Sequence, residues 1–165
     1  MSYFPRISYA HRVMLGLAVL LTLGSCASTA TLRENKQLRF TTVGRIPVVE
    51  GKINGKRAYF IIDTGASCSI LNQSVSDRFG FKSFIKNDDH VMGLHGEARI
   101  NQAFNCTVEM GPLKLKNVVF RTKHMDSFVS VIQTHENIEI AGIIGSDIFN
   151  RYGIAINFKS NTLSF

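Results

Sequence analysis

An apolar run from Val13 to Leu23, preceded by Arg6 and Arg12, is the first pattern along the chain. It is long enough for the core of an export signal and too short to span a bilayer. From Ala27 to about Leu38 the residues are small and polar without sustained period, which predicts a tether rather than a folded element. Regular patterning begins near Phe40. Ile46 to Ile53 and Arg57 to Ile62 read as strands joined by Asn54-Gly55, a dipeptide suited to a type I′ hairpin because both turn positions need positive φ. The return strand runs directly into Asp63.

Beyond Asp63, Ser69-Ile70-Leu71 predicts a short strand, and Asn72 caps a helical turn through Phe79 that stops at Gly80. Two strands flank the glycine-bracketed tip Met92-Gly93-Leu94-His95-Gly96. Phe104 to Met110 and Leu115 to Phe120, around Gly111-Pro112, predict a further pair; Arg121 to Glu139 alternates too irregularly to assign. The chain closes with Ile140 to Gly145, a short helix around Asp147 to Arg151, and a strand pair near Gly153 to Asn157 and Thr162 to Phe165. The pattern predicts an all-β domain with one or two short helices.

Composition narrows this picture. With 165 residues, 45% of them hydrophobic, the chain suffices for one compact domain, and Gly 13 with Pro 3 suits short strands joined by turns. The formal charge of +7 is scattered in ones and twos, without the basic stripe that a nucleic-acid partner requires. His90, His95, His124 and His135 lack metal-ligand spacing, so neither a metal nor another cofactor is expected. Leu23-Gly24-Ser25-Cys26 resembles a bacterial lipobox, which implies an acylated Cys26 as mature N-terminus and a protein anchored to an envelope membrane, periplasmic or outer-surface. The expected organisation is a signal peptide over 1–25, a tether over 26–39 and a domain over 40–165. Cys68 and Cys106 remain in a compartment where disulfides form, and their spacing leaves open whether they meet.

In Phe60-Ile61-Ile62-Asp63-Thr64-Gly65-Ala66-Ser67, an apolar strand ends on a carboxylate followed by a hydroxyl, a glycine and small residues. The glycine permits close backbone approach and frees N–H groups for the carboxylate, and Thr64 can pin the loop by a side-chain hydrogen bond. This stretch, the glycine-rich Val91 to Gly96 and the later Gly142-Ile143-Ile144-Gly145 resemble, in order, the catalytic loop, flap and apolar-apolar-Gly motif of retropepsin-like aspartic proteases.

The resemblance implies the acid-protease barrel, one subunit of a two-fold dimer, with Asp63, Thr64 and Gly65 catalytic or loop-bracing. It further implies Ala66 and Ser67 on the substrate floor and Met92, Gly93, Leu94, His95 and Gly96 closing over an extended peptide. Two such carboxylates share one proton, because like charges about 3 Å apart cannot both ionise. Asp77, Asp88, Asp89, Asp126 and Asp147 are not followed by the loop motif, so the second carboxylate must come from a second copy of the chain. The expected activity is an aspartic endopeptidase acting on peptide or protein substrates as a homodimer. The alternative is a non-catalytic envelope lipoprotein that uses the same fold to bind a peptide or partner.

Overall fold

The computed structural model describes residues 36–85, 90–93, 96–127, 129–130, 132 and 138–165, with 90–93 and 96–99 described by backbone alone. All lie within the compact unit Glu34–Phe165. The signal peptide, Cys26, most of the tether, Leu94 and His95 lie outside the described residues.

Short strands follow one another: β1 Gln37–Arg39, β2 Thr41–Val43, β3 Ile46–Ile53, β4 Lys56–Ile62 and β5 Ile70–Asn72. After a 3₁₀ turn, Gln73–Val75, come helix α1 Ser76–Phe79 and β6 Lys82–Phe84. Then follow β7 His90–Gly93, β8 Gly96–Arg99, β9 Asn101–Phe104, β10 Val108–Met110, β11 Leu113–Leu115 and β12 Arg121–Lys123. Strand β13 Ile140–Ile144, helix α2 Ser146–Tyr152, β14 Ala155–Asn157 and β15 Thr162–Ser164 complete the chain.

A ten-stranded sheet runs β11-β10-β3-β4-β13-β5-β12-β9-β6, with β2 added on β3. Its β3–β4 hairpin turns at Asn54 and Gly55 with φ of 50° and 79°, as the type I′ reading requires. The Asn72 side chain caps the 3₁₀ turn through Ser74 N–H, and α1 ends on a left-handed Gly80. Strand β13 enters between β4, which it joins in parallel, and β5, which it meets antiparallel. Its backbone approach to β5 leaves no room for a side chain at Gly142, where a Cβ would come 2.5 Å from the Ile70 carbonyl oxygen.

Alternation along these strands divides the sheet into two faces. Val49, Phe60, Leu71 and Ile144 point into the main core with Phe79, Phe120, Ile148 and Leu163. Val48 and Ile61 point to the other side, where Met125, Val129, Ile132 and Ile140 form a smaller cluster with the partly buried Ile70 and Ile143.

Three boundaries differ from the sequence expectation. Gln37–Arg39, placed in the tether, is strand β1, paired with Thr162–Ser164 at the other end of the chain. Phe104 to Met110 is not one strand: β9 ends at Phe104, and Asn105 takes a positive φ of 54° before β10 begins. Leu115 to Phe120 is extended only at its start, because Asn117 also turns left-handed, at φ 54°.

Candidate functional site

Strand β4 sends Phe60 and Ile62 into the main core and Ile61 to the opposite face. Asp63 continues that alternation, so its side chain belongs to the face of Ile61 and Ile143. The Asp63 N–H donates to the Ile144 carbonyl at 3.0 Å, which extends the β4–β13 ladder to the edge of the loop. The loop then folds back: Gly65 N–H donates to Asp63 Oδ1 at 2.9 Å and Ala66 N–H to the Asp63 carbonyl at 3.1 Å. A Cβ on Gly65 would sit 3.2 Å from Asp63 Oδ1, so glycine keeps this return tight. Asp63, Thr64, Gly65 and Ser67 are exposed, and Ala66 is half-buried.

What holds the loop lies far along the sequence. The Ala66 carbonyl accepts from Ser146 N–H at 2.8 Å and from Ser146 Oγ at 2.9 Å. Asp147, half-buried in the first turn of α2, accepts from Ser69 N–H at 3.0 Å, Ser69 Oγ at 2.7 Å and Ile148 N–H at 2.9 Å. Ser69 Oγ in turn accepts from Gly145 N–H at 2.9 Å, completing a closed network around a wholly buried hydroxyl. Gly145 must be glycine, since a Cβ there would approach the carbonyl oxygens of Ala66 and Cys68 to 2.7 and 2.9 Å.

Thr64 does not pin the loop by its side chain: among the described residues its exposed hydroxyl makes no hydrogen bond, and Ser146, Ser69 and Asp147 brace the loop instead. Asp147 does not begin a D-T-G, so the loop motif does not single it out in the sequence. The signal that identifies it is its place in the first turn of a helix, directly after Gly145-Ser146.

The expected flap residues Met92, Gly93 and Gly96 form the backbone of a β7–β8 hairpin with Gly93 opposite Gly96. Leu94 and His95 lie outside the described residues. Cys68 and Cys106 are both free thiols. Burial pushes the Cys68 thiol up, an effect the Arg121 charge partly opposes, and burial alone pushes Cys106 up to about 12. Among the described residues no cluster of three or more His, Cys, Asp and Glu could hold a metal ion.

The segment left unassigned between β12 and β13 covers part of the Asp63 face. Met125, Val129 and Ile132 stand at i, i+4 and i+7, an apolar helical stripe packed against Ile61, Ile70 and Ile143. The start of the segment is fixed by Asn72 Oδ1, which accepts from Met125 N–H at 3.2 Å. The Ser74 hydroxyl adds contacts with His124 Nδ1 at 3.0 Å and Asp126 Oδ2 at 2.7 Å. Ser74 donates to Asp126, so this grouping ties two segments together and does not make a nucleophile. A concavity of about 410 Å³ lined by Thr41, Val48, Tyr59 and Ile138 lies farther up β4, away from Asp63.

Asp63 therefore presents an exposed carboxylate with one oxygen held by Gly65 N–H. The neighbouring Asp147 is turned inward and occupied by three donors.

The aspartyl protease family profile matches residues 49–148, which include Asp63 and Asp147. Among solved structures, a retropepsin-like aspartic protease from Rickettsia conorii superposes with TM-score 0.54 at 18% identity, over 80% of this chain and 92% of that one. The EIAV protease complexed with the inhibitor HBY-793 gives 0.51 at 16% identity, over 72% of this chain and 98% of that one. No curated protein matches the chain in sequence. At such identities the structural likeness establishes the fold, and the profile, covering more than half of the chain, establishes kinship: this chain belongs to the aspartyl protease family, with a retropepsin-like fold.

Proposed function

We propose that the chain is a membrane-tethered aspartic endopeptidase whose active form is a homodimer, with Asp63 of each copy on the two-fold axis. The observation that carries this reading is the single exposed Asp63 at the tip of a braced loop, beside an Asp147 that is already engaged. Carboxylate-pair hydrolysis then needs a second copy.

In that dimer one Asp63 is ionised and accepts a proton from a bound water, whose oxygen attacks the scissile carbonyl carbon. The other Asp63 is protonated and gives its proton to the carbonyl oxygen, leaving a neutral tetrahedral diol. As the C–N bond breaks, the Asp63 that took the water's proton gives it to the leaving nitrogen, and a diol hydroxyl returns a proton to the other, ionised Asp63, which restores the pair with one proton. The exposed Thr64 hydroxyl, unbonded within its own chain among the described residues, is free to bond across the axis. Ala66 and Ser67 form the floor, and the Met92 to Gly96 hairpin covers an extended peptide. Acylated Cys26 supplies the tether to the cell envelope, with each buried CH₂ contributing roughly 0.8 kcal/mol.

The test is hydrolysis of a mixed peptide library by the purified chain and by Asp63→Asn. The substitution keeps the shape of the side chain but cannot accept the water's proton, so kcat falls by several orders of magnitude while folding persists. Equal cleavage by both forms would assign the activity to another residue and favour the binding-module reading.

A further inference from the structure

The Asp63 face of the sheet continues well beyond the residues that cover it. Ile61, Ile143, Ile70, Arg121, Gln102 and Phe84 stand opposite one another strand by strand from β4 to β6, and directly paired residues share a face. The first three are packed under Met125, Val129 and Ile132. Farther along the row the sheet ends in exposed aromatics. Phe84 is 53% and Phe104 46% exposed, their rings in edge contact at 5.4 Å. Each is large and apolar on an open surface, as at sites that receive a partner.

Arg121 lies between the covered and open halves. Its Nε is buried without a hydrogen-bond partner, and no carboxylate pairs with its guanidinium among the described residues. The Cys68 thiol is a hydrogen-bonding neighbour of this side chain, but a neutral one, and Arg121 is only half-buried, so an acidic group brought to the accessible part of the guanidinium gains a charge-assisted bond. The position also belongs to the site: Arg121 N–H donates to the Ser69 carbonyl at 3.2 Å, and its charge acts on Cys68 at the end of the Asp63 loop.

We propose that this shelf is an extended substrate subsite which selects peptides with an acidic side chain for Arg121 and an aromatic or large apolar one, farther from the scissile bond, for Phe84 and Phe104. It rests on the peptidase reading for the position of that bond. Arg121 is three strand spacings from Ile61, roughly 14 Å, which an extended peptide covers in about four residues. Charge complementarity and continuity with the Asp63 face favour an acidic peptide as the occupant.

The test measures binding separately from cleavage, using the full-length chain carrying Asp63→Asn. The probes are fluorescein-labelled sixteen-residue peptides with a central Leu-Phe. They carry Glu, Gln or Lys three to five residues from it, and Phe or Ala two to three residues farther out. Glu peptides should bind roughly tenfold tighter than Gln peptides, with Lys peptides weakest. Arg121→Gln should abolish the charge preference. Phe84→Ser with Phe104→Ser should remove the preference for Phe over Ala, and these exposed positions carry the test if Arg121→Gln does not fold.

Equal affinities across the set, or a charge preference that survives Arg121→Gln, would overturn the proposal. So would aromatic substitutions that reduce binding to phosphatidylglycerol vesicles while leaving peptide selectivity unchanged, since the shelf is then a membrane contact. Selective binding with no cleavage by the unsubstituted chain would sink the peptidase reading and leave the shelf in place. Cleavage without selectivity would do the reverse.

Discussion

The two faces of the large sheet are built from the same strands and do opposite work. On one, Phe60, Leu71, Ile144 and their neighbours close a continuous core under α1 and α2. On the other, Asp63 shares its side with a small cluster that covers only part of the sheet, and Phe84 and Phe104 stay open to solvent. A strand buried on both faces has no room to present chemistry. Filling one face completely leaves the other free to carry an exposed carboxylate and an approach to it.

Substitutions separate the two faces by size of effect. Phe60 is fully buried in the main core, so Phe60→Ala should cost about 3 to 5 kcal/mol, much of the stability of an ordinary domain. Chemical denaturation of the full-length chain checks this. Asp147→Ala should come next, at roughly 2 to 3 kcal/mol, because it leaves the buried Ser69 N–H without its acceptor. It should also lower peptide cleavage through the loosened Asp63 loop, with Asp147→Asn retaining part of both properties. Phe84→Ser, on the open half, should change stability by no more than about 0.5 kcal/mol.

A pH experiment reads the main core from its rim. Cys106 packs against that core, and burial raises its pKa from 9.0 to about 12. The unfolded thiol ionises first, so its stabilising contribution is complete below about pH 9 and is lost as pH rises toward 12. Across that window the slope from this group approaches roughly 1.4 kcal/mol per pH unit. In that range the midpoint of the unsubstituted chain should fall steadily relative to that of Cys106→Ala as pH rises; parallel curves would mean that the thiol is not buried in solution.

Local chemistry was legible in the sequence wherever the determining residues are neighbours. Asn54-Gly55 fixes its hairpin, Asn72 and Gly80 bound a helical stretch, and an apolar strand running into Asp63-Thr64-Gly65 marks the loop. What escaped depends on distant partners. Asp147 meets Ser69 across 78 residues, and β1 is a strand only because β15 pairs with it. Nothing near either position in sequence encodes those contacts. The stripe Met125, Val129 and Ile132 has helical spacing, but it is short and bounded by polar residues, so its burial emerges only when the face of Ile61 and Ile143 is known. Arg121 is a further case, because the row that carries it from Ile70 to Gln102 exists only in the folded sheet.

The central claim is that two copies of Asp63 make one site, and mixed subunits test it most directly. Unsubstituted chain and Asp63→Asn are unfolded and refolded together at fixed total concentration and varied ratio, and peptide cleavage is measured. Random pairing with a shared site predicts activity that follows the square of the unsubstituted fraction, about one quarter of full activity in an equal mixture. Activity that follows the fraction itself, about one half in that mixture, would mean that each chain works alone and would contradict the account.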